Sequence, residues 1–126
     1  MDGIKITKKG LQAFIKHKIA TDDRWALRAL VVVYNSQEDD EKLFGSAKKQ
    51  NGVGFGKIDA SIMCVIAERY KRGYGLSPKD MNTVHRRMQK YWRQILDKSD
   101  KAKLESQYRK YIIEQEQIIE GINFLY

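Results

Sequence analysis

Hydrophobic residues return along this chain every three or four positions, not every second one, which is the spacing of helices laid against a core. Runs that alternate apolar and polar residues are missing, and the single proline, Pro78, does not punctuate a set of short strands, so the fold expected is all-α. Leu11, Phe14, Ile15 and Ile19 recur at helical spacing behind Thr7, whose hydroxyl suits an N-cap, and predict an amphipathic helix over 8–20 with a basic outer face. Thr21, Asp22 and Asp23 then supply a cap and first-turn acids for a second helix to about Gln37. Its Trp25, Leu27, Leu30, Val31, Val33 and Tyr34 leave little polar surface, which places it at the centre of the core.

Between Ser36 and Lys57 the periodicity lapses. An acidic run, Glu38 to Glu41, is followed by Gly45, Gly52, Gly54 and Gly56, which reads as one long loop with room for a helical turn near 42–49. Asp59 can cap a third helix to about Lys71, carrying Ile62, Met63, Ile66, Ala67 and Tyr70, and Gly73 and Gly75 end it. Ser77-Pro78-Lys79-Asp80 is the sharpest local signal: a serine cap, proline at the first helical position and an acid at the third start a helix from Pro78 to about Leu96. A last helix, 100–120, begins at Ser99-Asp100, uses Leu104, Tyr108, Tyr111, Ile112, Ile119 and Ile122 as its stripe, and ends near Gly121. With no internal repeat or linker, residues 1–126 form one domain, a compact bundle of about five helices. It has a glycine-rich loop and a helix-turn-helix-like pair joined at Gly73 to Leu76. Trp25, Leu30, Ile66, Met88, Trp92 and Tyr108 are the residues expected to pack together inside.

The 126 residues are enough to enclose a core without metals or disulfides, and 42% hydrophobic against 32% charged residues is a globular balance, not that of a disordered chain. The one cysteine, Cys64, lies in the apolar run 61–67 and reads as a buried, reduced thiol, which together with the lack of a signal core points to the cytoplasm. The longest apolar stretch, near Trp25 to Tyr34, is broken by Arg28 and too short to span a bilayer, so no membrane partner is expected. Charge changes the picture most: 24 Lys and Arg against 16 Asp and Glu leave a net +8. A surplus of that size gathers polyanions, and nucleic acid becomes the first partner to consider.

The surplus is also local. Winding the Pro78 to Leu96 helix at 3.6 residues per turn puts Met81, Val84, Met88, Tyr91, Trp92 and Ile95 on one side and Lys79, Arg86, Lys90 and Arg93 on the other, with Thr83 and Arg87 beside them. Arg69, Lys71 and Arg72 precede this strip, and between Arg69 and Arg93 only Asp80 opposes the cations. Such a strip neutralises phosphates, and its arginines can fork onto guanine edges. His85 either extends the strip or packs at the edge of the apolar face.

The loop Asn51-Gly52-Val53-Gly54-Phe55-Gly56-Lys57 fits neither phosphate-binding fingerprint: no strand precedes it, and Lys57 is followed by Ile58 where a P-loop has Ser or Thr. Two readings stand. Either the glycines serve close-packed backbone while Val53 and Phe55 plug the core, or amides around Asn51, Gly52, Gly54, Gly56 and Lys57 form a nest for one phosphate. Catalytic chemistry is thin. His17 and His85 are the only histidines, no Cys/His cluster has metal-ligand spacing, and the acidic run lacks the alternating ligands of a calcium loop, so neither a metal, a cofactor nor an enzymatic activity is expected.

Asn51-Gly52-Val53-Gly54-Phe55 followed by Asp59-Ala60 resembles a short module of bacterial and phage proteins, found free-standing and appended to helicase-type DNA enzymes. The resemblance spans 21–96. It takes in Tyr34 and Gln37 on an Ala-Leu helix, then Leu76-Ser77, Arg87, Lys90-Tyr91 and Gln94-Ile95, and departs at Gly56 and at Lys79-Asp80-Met81. It implies nucleic-acid business by association. The function expected is thus a non-enzymatic nucleic-acid-binding module, with DNA ahead of RNA, acting alone or as an accessory to DNA-processing machinery. The alternative is a small phage-encoded protein that binds and inhibits a host defence nucleoprotein of the CRISPR type, and since the chain is basic it would then meet an acidic protein surface or grip the bound nucleic acid.

Overall fold

The protein is described from a computed structural model that covers the backbone of residues 5–44 and 54–125 and the side-chain surroundings of 5–39 and 54–122. Helix α1 (Lys8–Thr21) starts where the Thr7 hydroxyl accepts from the Gly10 amide at 2.9 Å. Asp22 both ends α1 and starts α2 (Asp23–Phe44): its own amide donates to the Lys18 carbonyl, and its carboxylate accepts from the amides of Arg24 at 2.9 Å and Trp25 at 3.2 Å.

Helix α2 runs past Gln37 and through the acidic run that the lapse in periodicity marks as loop. The reason is lateral. Gln37 is buried, and the Tyr34 phenol meets Glu38 at 2.7 Å and Glu68 of the next helix at 3.1 Å, so these turns have partners on a neighbouring element. Of the turn expected near 42–49, the part after Phe44 lies outside the described residues.

Helix α3 (Lys57–Lys71) is preceded by Gly56 at the N-cap position, not Asp59, which sits inside the first turn and is 1% exposed. Gly73, at φ +95°, takes the left-handed backbone that stops α3. Helix α4 (Pro78–Met88) begins as its sequence dictates, with the Ser77 hydroxyl accepting from the Asp80 amide at 3.1 Å. The single helix expected to Leu96 is interrupted, however: a 3-10 turn over Gln89–Tyr91 separates α4 from α5 (Trp92–Lys98). The break falls where Lys90 and Tyr91 reach across to Asp59, a long-range cause that helical periodicity does not show. Helix α6 (Lys101–Leu125), whose third amide meets the Asp100 carboxylate at 3.2 Å, continues through Gly121 instead of ending there.

No strand occurs among the described residues, and with α4, its turn and α5 taken as one segment there are five helical segments in one all-α domain. Helix α2 is the hub, packing on α1, α3, α4 and α5. Its Ala26, Ala29, Leu30 and Val33 meet Phe14, Ile15, Ile19, Met63, Ile66, Val84, Met88 and Ile95 in one core. Leu30, Ile66, Met88 and Tyr108 are buried as expected, whereas Trp25 and Trp92 are only half-buried at its margin. Ile62 and Tyr70, assigned to the apolar face of α3, are exposed, and Cys64 is half-buried. Helix α6 is held through its side chains: Leu104 and Tyr108 are buried, and the Phe14 ring lies 5.4 Å from that of Tyr108 and 5.1 Å from that of Tyr111. Ile119 and Ile122, expected in the same stripe, are exposed because α6 outruns the body it packs on.

Candidate nucleic-acid interface

The strip of cations depends on how α4 is held against α3, and that is the work of Asp59. Buried at the start of α3, its carboxylate receives Arg87 Nη1 at 2.8 Å on one oxygen, and Lys90 Nζ at 2.7 Å and the Tyr91 hydroxyl at 2.6 Å on the other. Burial by itself would raise this carboxyl, but hydrogen bonds from Lys90, Tyr91 and Arg87 outweigh it and hold the group below the usual aspartate value. Arg87 Nε is buried and without a partner among the described residues. Because the start of α3 meets the end of α4, the two helices run in opposite senses.

The same cluster fastens the end of the glycine loop. The amide of Gly54 donates to Gln94 Oε1 at 3.0 Å, that of Phe55 to Gln37 Oε1 at 2.9 Å, and that of Gly56 to the Tyr91 oxygen at 2.8 Å. Gln94 returns a bond to the Gly54 carbonyl at 3.0 Å, and Gln37 reaches Cys64 Sγ at 3.2 Å. Burial, then the bond to Asp59, push the Tyr91 phenol up to about 12. The bond to Glu38, burial and the bond to Glu68 raise the Tyr34 phenol well above its ordinary value. Both phenols are therefore neutral donors at physiological pH.

Only the end of the loop, from Gly54, lies within the described residues. The amides of Gly54 and Gly56 that a phosphate nest would use are already given to side chains, and Lys57 is an exposed residue at the start of α3. Asn51 and Gly52 lie outside the described residues. Gln37, Gly54, Phe55, Gly56, Asp59, Arg87, Lys90, Tyr91 and Gln94, far apart in sequence, are thus linked in space.

Of the cations named from the sequence, three have partners. Arg87 and Lys90 are bound to Asp59, although Lys90 remains 56% exposed, and Lys71 Nζ donates to Asn35 at 2.7 Å while lying over the Tyr34 ring. Arg69, Arg72, Lys79, Arg86 and Arg93 are exposed and form no ion pair among the described residues. Helical phase puts Arg69 on the outer side of α3, with Arg72 following at its C-cap, and Lys79 and Arg86 on the outer side of α4, so the antiparallel pair turns them to one face. Arg93 lies further along, beside Trp92 and at the edge of a groove shared with Lys8 and Lys101. His85 packs at an edge instead of extending the strip, with Nδ1 2.7 Å from the Ile19 carbonyl and Nε2 2.7 Å from Asp23.

Two features of this face escaped the sequence pattern. Tyr74, 62% exposed, stands in the α3–α4 turn two residues after Arg72, and Ile58, Ile62 and Val65 form an exposed apolar stripe on α3 leading to Arg69. The spacing of Ile58, Ile62, Val65, Arg69 and Arg72 at alternating fours and threes was the available signal. Among the described residues no three His, Cys, Asp or Glu side chains are grouped to hold a metal ion, and no helix is long and apolar enough to cross a membrane. Comparison with protein-family models, curated proteins and solved structures gives no match.

Proposed function

We propose that the chain is a non-enzymatic nucleic-acid-binding module whose contact surface is the outer face of the α3–α4 pair. The observation that carries this reading is that Arg69, Arg72, Lys79 and Arg86 are exposed and without carboxylate partners among the described residues, and helical phase turns them to one side. Cations so arranged gain by displacing the counterions condensed on a phosphate backbone. Tyr74 in the connecting turn adds an exposed ring on which a base can stack. Arg87 and Lys90 hold α4 in place through Asp59, and Lys90 keeps enough exposure to share in the contact. Within this reading the chain acts in the cytoplasm, alone or as an accessory to bacterial or phage DNA-processing machinery.

The test is a salt titration of affinity for DNA and RNA, single- and double-stranded. Lys79→Ala and Arg86→Ala each lower the salt slope by roughly one unit while the thermal midpoint stays put. A parent that binds no nucleic acid at low salt overturns the reading.

The stripe of Ile58, Ile62 and Val65 favours a second reading, a protein partner with an apolar patch rimmed by acids, which is the form an inhibitor of a host defence nucleoprotein would meet. A partner retained from host lysate after nuclease treatment, and lost on Ile62→Glu, supports it.

A further inference from the structure

A second basic surface lies on the far flank of α2. A groove of about 530 Å³ runs between α2 and the corner where α5 passes into α6. Ala29, Val32, Ile95 and Leu104 form an apolar floor, Trp25 lines one wall, and Arg24, Arg28, Lys98 and Lys103 stand at the rim. Among the described residues the carboxylates lining it are Asp22 and Asp100. Both are engaged with the helix starts beside them: Asp22 accepts from the amides of Arg24 and Trp25, and Asp100 from that of Lys103. None of the four rim cations forms an ion pair among the described residues. Lys101 and Lys103 also occupy the first turn of α6, with no acid there, although the positive end of a helix dipole disfavours cations. The groove therefore sets four cations against two carboxylates over an apolar floor, a local surplus of positive charge.

We infer that this groove binds single-stranded nucleic acid, with phosphates on Arg24, Arg28, Lys98 and Lys103 and one base laid against Trp25 and the floor. The inference rests on the nucleic-acid reading above and adds a strand preference and a separate site to it. Charge and shape select the occupant together. A duplex keeps its bases stacked inside and offers phosphates alone, whereas a single strand can turn a flat apolar base into a groove whose rim takes the flanking phosphates.

The test uses the full chain at low salt, following polarisation of a labelled oligothymidine and of a labelled blunt duplex of mixed sequence. Arg28→Glu combined with Lys103→Glu, both exposed positions outside the α3–α4 face, weakens the oligothymidine by about tenfold or more and leaves the duplex within about threefold. Lys79→Glu combined with Arg86→Glu weakens the duplex. Trp25 emission, read in a Trp92→Phe background, is quenched by oligothymidine and not by duplex, which supplies a readout should the double reversal unfold the chain. Equal losses for both probes in the groove variant, no loss for either, or unquenched Trp25 emission overturn the inference while leaving the α3–α4 reading intact. A parent that binds duplex but not oligothymidine does the same, and a parent that binds neither overturns both.

Discussion

Asp59 joins three elements through two oxygens: it lies at the start of α3, takes Arg87 from α4 and Lys90 and Tyr91 from the turn, and through Tyr91 reaches the Gly56 amide. Asp59→Asn would leave two cations facing a neutral amide. Because those cations reach solvent, the expected cost is about 3 kcal/mol, the low end for breaking a buried pair, measured by urea unfolding at neutral pH. The sign of the pH effect follows from the lowered carboxyl. Its contribution is present above the unfolded aspartate value, about 3.9, and is lost as pH falls through the folded value. The difference between parent and Asp59→Asn should therefore shrink on acidification, and a gap that persists unchanged in strong acid would assign the stabilisation to packing. Gly54 is the second sensitive residue. It has φ +87°, and an added Cβ would meet Gln37 Cβ at 2.7 Å, whereas Gly73, at φ +95°, has nothing within 4 Å. Gly73→Ala should cost the backbone strain of about 1–2 kcal/mol, and Gly54→Ala clearly more, because Gln37 must also move. Equal losses would show that Gln37 yields freely.

The helices differ in what holds them. Those of α1 to α5 are fastened on two or more sides, but α6 meets the body through Leu104, Tyr108 and Tyr111 and then carries Ile118, Ile119 and Ile122 into solvent. Leu104→Ala should cost about 2–5 kcal/mol, as truncation of a buried leucine does, and Ile119→Ser less than about 0.5 kcal/mol, as at an ordinary surface position. Chemical denaturation of the two variants checks both. A large loss at Ile119 would mean that the outer half of α6 is covered in solution. In α4 the governing factor is different. Ser77 and Pro78 start it from local sequence alone, but its interruption at Gln89–Tyr91 accompanies contacts made thirty positions away on α3.

In the whole molecule α2 is the hub, so a cavity within it is felt by every neighbour. Leu30, fully buried, should cost about 2–5 kcal/mol on truncation to alanine, with one cooperative transition by different probes. Loss of cooperativity would show that α6 or the α3–α4 pair folds apart from the rest. The sequence by itself determined the all-α class, the starts of α1, α4 and α6, the central place of α2 and the cations of α4, because caps and helical periodicity are local properties of the chain. Tertiary structure decided the rest. Helix α2 continues past Gln37, where Glu38 and Glu68 share the Tyr34 phenol, and Asp59 turned from an expected cap into a buried anchor because α4 and the turn after it supply its cations. Ile58 and Val65 face solvent beside Arg69 because α3 has its partners on other sides. Each of these depends on which side chains meet across more than twenty-five positions of sequence, and periodicity along a single helix contains no term for that.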